Sequence, residues 1–194
     1  MATSATPYHH GDLPNALVRA AVELLEEGGA AELSLRKAAR RAGVSTAAPY
    51  RHFADRDALL SAVAAVGYRD LAAQLAAVQP EHVDPDGMVD IAVAYVRFAL
   101  TRPGMFRVMF TDSCDPTSPE RVAAVAAIHD YLESLAREAF PDADPESTGT
   151  AMWALVHGLA FLHLEGKLDA SSEEVVAERV GATVSAILGV SRSD

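Results

Sequence analysis

The sequence predicts an all-α protein of about nine helices: a three-helix, helix-turn-helix head followed by a larger helical body. Three observations predict it. Helix-starting and helix-stopping residues recur at helix-length intervals, and no segment alternates apolar and polar residues as a half-buried strand does. The composition is rich in alanine and leucine and only 6% aromatic, which favours helix over sheet. Finally, Arg36, Lys37, Arg40, Arg41, Arg51 and His52 follow one another with no intervening acid in a chain of net charge -11.

The elements follow in order. Asp12 is placed to cap a first helix whose apolar face is Leu13, Leu17, Ala20, Ala21, Leu24 and Leu25, with Gly28 and Gly29 ending it. Ser34 caps a short helix over 35–42. Gly43 supplies the turn, Val44 fills the angle between two crossing helices, and Ser45 caps a second short helix over 46–53. Asp55 opens a longer helix running through Leu59, Leu60, Val63, Val66, Leu71 and Leu75 towards Pro80. Asp84-Pro85-Asp86, Ser118-Pro119-Glu120 and Asp144-Pro145-Glu146 each place a cap before a first-turn proline and an acid near the positive helix end. Pro103-Gly104 breaks the helix begun at Asp84, and the apolar segment from Met105 to Phe110 follows. Ser171 with Glu174 forms a capping box for the last helix. A chain of 194 residues suits one or two domains. The divisions expected are a head over 9–55, a connecting helix over 56–80 and a body over 81–190.

Charge points to a partner. Residues 1–60 hold seven basic and seven acidic side chains, so the whole net charge of -11 sits in residues 61–194. Phosphate contacts dominate protein–DNA affinity, so the neutral head should face a polyanion and the acidic body should face away. In the second short helix, Thr46 and Ala47 occupy the turn that meets base edges. Tyr50, Arg51 and His52 point outward to phosphates, and Phe53 packs inward. Pro49 lacks the amide that would bond the carbonyl of Ser45. Arg56 brings charge beside helix-terminal amides. With Ser34, Arg36, Lys37 and Ser45, these residues make up the expected DNA-contacting set.

Residues 9–75 resemble the DNA-binding domain of the tetracycline-repressor (TetR) family of bacterial regulators. The residues carrying the resemblance are the apolar first helix, Leu35-Arg36-Lys37-Ala38-Ala39, Gly43-Val44-Ser45, Tyr50-Arg51-His52-Phe53 and Arg56-Asp57-Ala58-Leu59. Pro49 and Arg56 depart from that family's usual leucine and lysine. The resemblance implies an Ω-shaped homodimer reading a palindromic operator in double-stranded DNA. It also implies a C-terminal domain that often takes a small effector and releases DNA. Met152-Trp153-Ala154-Leu155-Val156-His157-Gly158-Leu159 is similar to the Trp/His-Gly signature of one C-terminal subclass, as are Tyr95-Val96-Arg97-Phe98 and Arg102-Pro103-Gly104-Met105-Phe106.

The body carries two further expectations. The helix from Asp84 to Thr101 is apolar almost all round and must be covered on every side. Its expected neighbours come from the segments around Phe106, Ile128 and Trp153. The candidate effector site is Tyr95, Phe98, Phe106, Met109, Phe110, His129, Tyr131, Met152, Trp153 and His157. Aromatics, methionines and a few polar tips suit a small apolar or aromatic ligand with one or two hydrogen-bonding groups. Dimerisation is assigned to the helices over 146–165 and 174–188. Their stripes Leu155-Leu159-Leu162 and Val176-Val180-Val184-Ile187 carry the small residues Gly149, Ala154, Gly158 and Gly181 among them.

Other chemistries find little support. His9-His10 lacks further metal ligands, and no phosphate loop, zinc signature or nucleophile elbow is present. No catalytic, metal-binding or cofactor-binding residue is therefore expected. Asp112 and Asp115 flank Cys114, which makes it a poor redox sensor. The single cysteine and the absence of a long apolar run point to a cytoplasmic protein outside the membrane. The competing reading is an all-helical enzyme or carrier that uses the body's cavity. Salt-sensitive, sequence-selective DNA binding separates the two.

Overall fold

The computed structural model describes residues 12–81, 83–84, 87–110 and 114–189. His9, His10, the Pro85-Asp86 part of one expected helix start and residues 111–113 beside Cys114 lie outside the described residues. Among those described there is no strand, and eight α-helices form: α1 (Leu13–Gly28), α2 (Leu35–Arg41), α3 (Arg56–Val78), α4 (Gly87–Thr101), α5 (Pro103–Phe110), α6 (Pro119–Ala139), α7 (Pro145–Leu164) and α8 (Glu173–Leu188).

The ninth expected helix, over 46–53, is a turn leading into a 3₁₀ segment at Pro49–Arg51. The cause is local. Proline offers no amide to the Ser45 carbonyl, which instead receives the Ala48 amide at 2.9 Å; Arg51 then bonds Ala48 (3.2 Å) and His52 bonds Pro49 (2.9 Å). Bonding to the third residue back, rather than the fourth, tightens the segment into 3₁₀ form.

Most caps fall where the residue types place them. The side chains of Ser34, Asp55 and Asp144 accept the amides of Lys37, Ala58 and Ser147. Each such cap is worth about 1 kcal/mol. The Asp84 carboxylate accepts the Gly87 amide at 2.7 Å. Three differ. Asp12 and Ser118 stand at their helix starts without a side-chain cap bond, because Asp12 is taken up by Asn15 and Arg19, and the Ser118 hydroxyl donates to Glu120. The last cap is Ser172, which accepts the Val175 amide, while the Ser171 amide bonds Asp169; the capping box expected of Ser171 and Glu174 does not form.

Helix α4 is the centre of the body, packed against α3, α5, α7 and α8. That explains its all-round apolar character. It also corrects two expectations. Helix α8 lies along α4, so Val176, Val180 and Val184 belong to the chain's own core and not to a subunit interface. Helix α6 covers α3 and α7 more than α4. Small residues behave accordingly. A side chain on Gly149 would meet the Leu132 backbone on α6, whereas one on Gly158 would meet nothing within 4 Å.

One continuous apolar core joins head to body, running from Leu17 and Leu35 through Leu59 and Leu71 to Val180. The seam between them is close. A Cβ on Gly104, in the first turn of α5, would stand 2.9 Å from the backbone oxygen of Leu25 near the end of α1. One on Gly67 of α3 would meet the sulfurs of Met109 (2.6 Å) and Met105 (2.7 Å). Methionine can swing aside and a carbonyl cannot. Gly104→Ala should therefore lower stability by about 1–3 kcal/mol in chemical denaturation. Gly67→Ala should cost less, because alanine recovers about 0.5–1 kcal/mol of helix propensity. The reverse order would mean that the α1–α5 seam yields more readily than the methionines.

Candidate nucleic-acid interface and aromatic cavity

The head exposes a basic and hydroxyl-bearing surface. Arg36 and Arg40 stand four residues apart on one exposed face of α2, and neither makes an ion pair with a described residue. Beyond the turn at Gly43 (φ 71°), Ser45, Thr46, Ala47, Tyr50, Arg51 and His52 are exposed, while Pro49 and Phe53 are buried. Tyr50 is 51% exposed, a large aromatic surface for a side chain with no hydrogen bond among the described residues. Arg40 was absent from the expected contact set, although its spacing from Arg36 was the available signal.

Other expected contacts are committed within the head. The Ser34 hydroxyl oxygen accepts the Lys37 amide. The Lys37 ammonium pairs with Glu32. Arg41 forks onto Glu27 at 2.9 and 2.6 Å and reaches Glu23 at 3.2 Å, tying α2 to α1 and holding the Glu27 carboxyl below its usual range. Arg56 donates to the backbone oxygens of Leu33 (3.2 Å) and Ala30 (2.8 Å). Its guanidinium braces the start of α3 against the 3₁₀ turn at Ala30–Glu32, the half-buried use to which its charge is put. His52 lines a groove of about 340 Å³ between head and body, with Pro14, Asn15, Arg69 and Glu120.

In the body, one hydroxyl organises the aromatic residues. Tyr95 is buried on α4, and its oxygen lies 3.1 Å from the Trp153 indole nitrogen and 3.0 Å from Nδ1 of His157, both on α7. An indole nitrogen can only donate, so the hydroxyl oxygen accepts from Trp153 and its proton goes to His157. That network assigns His157 as the neutral tautomer with its proton on Nε2. Burial agrees, holding the His157 pKa below its ordinary value and raising that of Tyr95 well above the usual phenol range. The imidazole ring sits among aromatic neighbours, 4.6 Å from Phe110, 4.9 Å from Phe161 and 5.5 Å from Phe106 between centroids. Phe161 was not among the expected ligand residues, although it follows His157 by one helical turn.

The remaining expected ligand residues divide. Met109 and Met152 are buried in the same core. His129 is exposed but stacks edge-on against Trp153 at 5.0 Å. Phe98 does not join the rings around Tyr95; it is buried beneath the guanidinium of Arg102, 5.6 Å away. Tyr131 is half-buried, and its hydroxyl has no hydrogen-bond partner among the described residues. Two hollows flank Trp153. A cavity of about 200 Å³ between α6 and α7 is lined by His129, Leu132, Glu133, Glu146, Thr150 and Trp153. A chamber of about 20 Å³, lined by Leu75, Ile91, Tyr95, Leu135, Met152 and Val156, lies behind Leu132 and Trp153. The chamber has room for about one water molecule. Among the described residues no cluster of His, Cys, Asp or Glu is arranged to hold a metal ion, and no helix is long and apolar enough to cross a membrane.

Comparison with known proteins gives this geometry a context. Residues 17–63 match the family model for bacterial regulatory proteins of the tetR family, and residues 88–186 match that for the tetracyclin repressor-like C-terminal domain. A Rhodococcus sp. RHA1 protein of unknown function is similar in structure at a TM-score of 0.76 and 33% identity, over 93% of this chain and 97% of that one. An uncharacterised HTH-type transcriptional regulator of Haemophilus influenzae is 32% identical over 125 residues, 62% of this chain and 60% of that protein. The class A tetracycline repressor from transposon 1721 in Escherichia coli is 49% identical over 51 residues, 26% of this chain and 24% of the repressor. The chain thus spans less than two thirds of either curated relative.

His157 is joined by a second suppressed histidine. His163 on α7 is 3% exposed, with no hydrogen bond at either ring nitrogen among the described residues, and burial lowers its pKa against a weaker opposing effect of the Asp169 backbone. For a base whose folded pKa is depressed, the unfolded chain binds the proton first as pH falls. Stability is then complete above the unfolded value of about 6.5 and declines as pH falls from there towards the folded values. Chemical denaturation at pH 7.5 and 5.5 should show a lower midpoint at pH 5.5. A His157→Gln, His163→Gln protein should lose most of that difference, and an undiminished difference would assign it to other groups.

Proposed function

This chain belongs to the TetR family of bacterial regulatory proteins, and we propose that it is a DNA-binding transcriptional repressor released from a palindromic operator by a small-molecule effector. The observation carrying the reading is the head surface. Arg36, Arg40 and Arg51, exposed and without an ion pair among the described residues, beside Thr46, Ala47 and Tyr50, form a cationic face in a protein of net charge -11. The acidic body directs that face towards the polyanion. Thr46 and Ala47 read bases; Arg36, Lys37, Tyr50, Arg51 and His52 hold the backbone; Ser34 caps α2, and Ser45 holds the turn that presents Thr46 and Ala47. Arg56 contributes chiefly by bracing, so its contact with phosphate is secondary to the fold of the head.

The effector site is the aromatic cluster around Tyr95, on the pairing of Trp153 with His157 that supports the Trp/His-Gly subclass. Helix α4 carries Tyr95 at its middle and ends at Thr101, one residue before the Arg102–Gly104 corner seated on the head. Rearrangement at Tyr95 therefore acts directly on the support of α1. The dimer forms through α7 and α8, in the cytoplasm where the DNA is. Its contacts are the faces left open by the chain's own packing: Ala154, Gly158 and Leu162 on α7, with Ala182, Ala186 and Ile187 on α8. Leu162 is 44% and Ile187 67% exposed, more apolar surface than a lone helix pair leaves to water without reason.

Gel-shift titration on the DNA upstream of the coding sequence tests the reading. Binding should be sequence-selective and fall steeply with salt, and Arg36→Ala or Arg51→Ala should each flatten the log–log salt slope by about 0.9 for one lost phosphate contact. Salt-independent or unselective binding would contradict it. For assembly, Leu162→Glu and Ile187→Glu should yield folded monomers that lose operator affinity. Val180→Glu should instead unfold the body. A dimer unaffected by Leu162→Glu and Ile187→Glu together would place the interface elsewhere.

A further inference from the structure

Trp153 stands between the two hollows of the body and lines both, as does Leu132. The outer one, about 200 Å³, opens to solvent and is polar at its rim, with His129, Glu133, Glu146 and Thr150. The inner chamber presents only apolar surface, and its present volume is about 20 Å³. The indole is held in place by its hydrogen bond to Tyr95 and by ring contacts with His129 (5.0 Å, edge-on) and Phe110 (6.2 Å, tilted). Around the inner chamber, Met88 and Met152 are unbranched and can re-pack, so swinging the indole aside joins the two spaces into one channel.

We propose that Trp153 is the gate of a channel for a linear amphiphile, whose apolar chain fills the chamber behind the indole and whose uncharged or cationic head stays in the outer hollow. This rests on the effector-site reading above and names the class of ligand for it. The chain end is set by the chamber, where a polar group would lose hydrogen bonds without recovering them. The head is set by the two carboxylates. No lysine or arginine lines the outer hollow, and the cation beside it, Arg137, sits 3.8 Å from Glu133 as a largely exposed pair that does little to cancel the charge. An anionic head is repelled there, while an alcohol or amine finds acceptors in Glu133, Glu146 and Thr150. Opening the gate breaks the Trp153–Tyr95 bond, and the Tyr95 hydroxyl then keeps only His157.

Trp153 is the single tryptophan of the chain, so its emission reports this gate and nothing else. The experiment titrates full-length protein with decanol, decylamine and decanoate below their micellar concentrations, following tryptophan emission. Decanol and decylamine should shift the emission saturably, and decanoate should bind at least about tenfold more weakly through repulsion by two nearby carboxylates. Glu133→Gln with Glu146→Gln should bring decanoate to within a few-fold of decanol. Tyr95→Phe, which releases the indole, should tighten decanol binding. Decanoate binding as tightly as decanol, silence with all three, or unaltered decanol affinity in a folded Tyr95→Phe protein would each overturn the proposal. Operator binding measured separately on the same protein distinguishes this failure from that of the repressor reading. Ligand binding without DNA binding would sink only the latter.

Discussion

The arrangement of head on body depends on Arg102, the residue between α4 and α5. Its guanidinium bonds Asp70 of α3 at 2.7 Å and Glu26 of α1 at 2.9 Å, and covers the face of buried Phe98. Three helices are thus pinned at one point. Arginine suits the task because its planar fork serves two carboxylates at once while its face rests on an aromatic ring. The ion pairs are partly open to solvent, so their value lies less in energy than in fixing direction. Two residues on, the missing side chain of Gly104 lets α5 rest on the Leu25 carbonyl.

Further contacts along α3 hold the same geometry. The buried Tyr68 hydroxyl donates to the Met109 carbonyl at 3.0 Å, and burial pushes its pKa up to about 12, so it stays a donor throughout the physiological range. Ser61 accepts the Asp115 amide at 2.7 Å and donates to the Asp57 carbonyl, fastening the segment before α6 to α3. The connecting helix is therefore held to the body at several levels and to α1 through Arg102. The aromatic cluster meets this seam at Phe110 of α5, whose ring is 4.6 Å from His157 and 5.4 Å from Tyr68 of α3. A change there reaches the head through α5 and through α4, because a helix packed on four sides moves as a unit more readily than it bends.

Much of this was legible in the residues. Caps, first-turn prolines and glycine stops placed eight helices, because they act locally and need no tertiary information. Trp153 and His157 were paired by their spacing on α7. What escaped depended on packing. Pro49 marked a weakened helix, but whether the segment would remain α-helical turned on how its ring buried itself. Arg56 has the charge and position of a phosphate ligand, and its spacing in sequence does not show that it also reaches two backbone carbonyls. The valine stripe of α8 has the pattern of an interface, and the same pattern serves equally to cover α4. Periodicity identifies a buried face without saying what buries it. Tyr95 at the hub of the cluster, and Arg102 at the seam, owe their roles to contacts 32 to 76 residues distant in sequence.

The central claim is that the body fixes the orientation of the head through the Arg102 seam. Its most direct test is a pulsed dipolar distance measurement between spin labels at positions 40 on α2 and 126 on α6, both exposed, with Cys114 replaced by serine. Labelled chains diluted into unlabelled protein isolate the distance within one subunit. The account predicts a single narrow distance distribution for the parent protein and a broad one for Arg102→Ala that still unfolds cooperatively. A distribution equally narrow in the two proteins would show that the core along α3 suffices to set the head, and that Arg102 does not govern it.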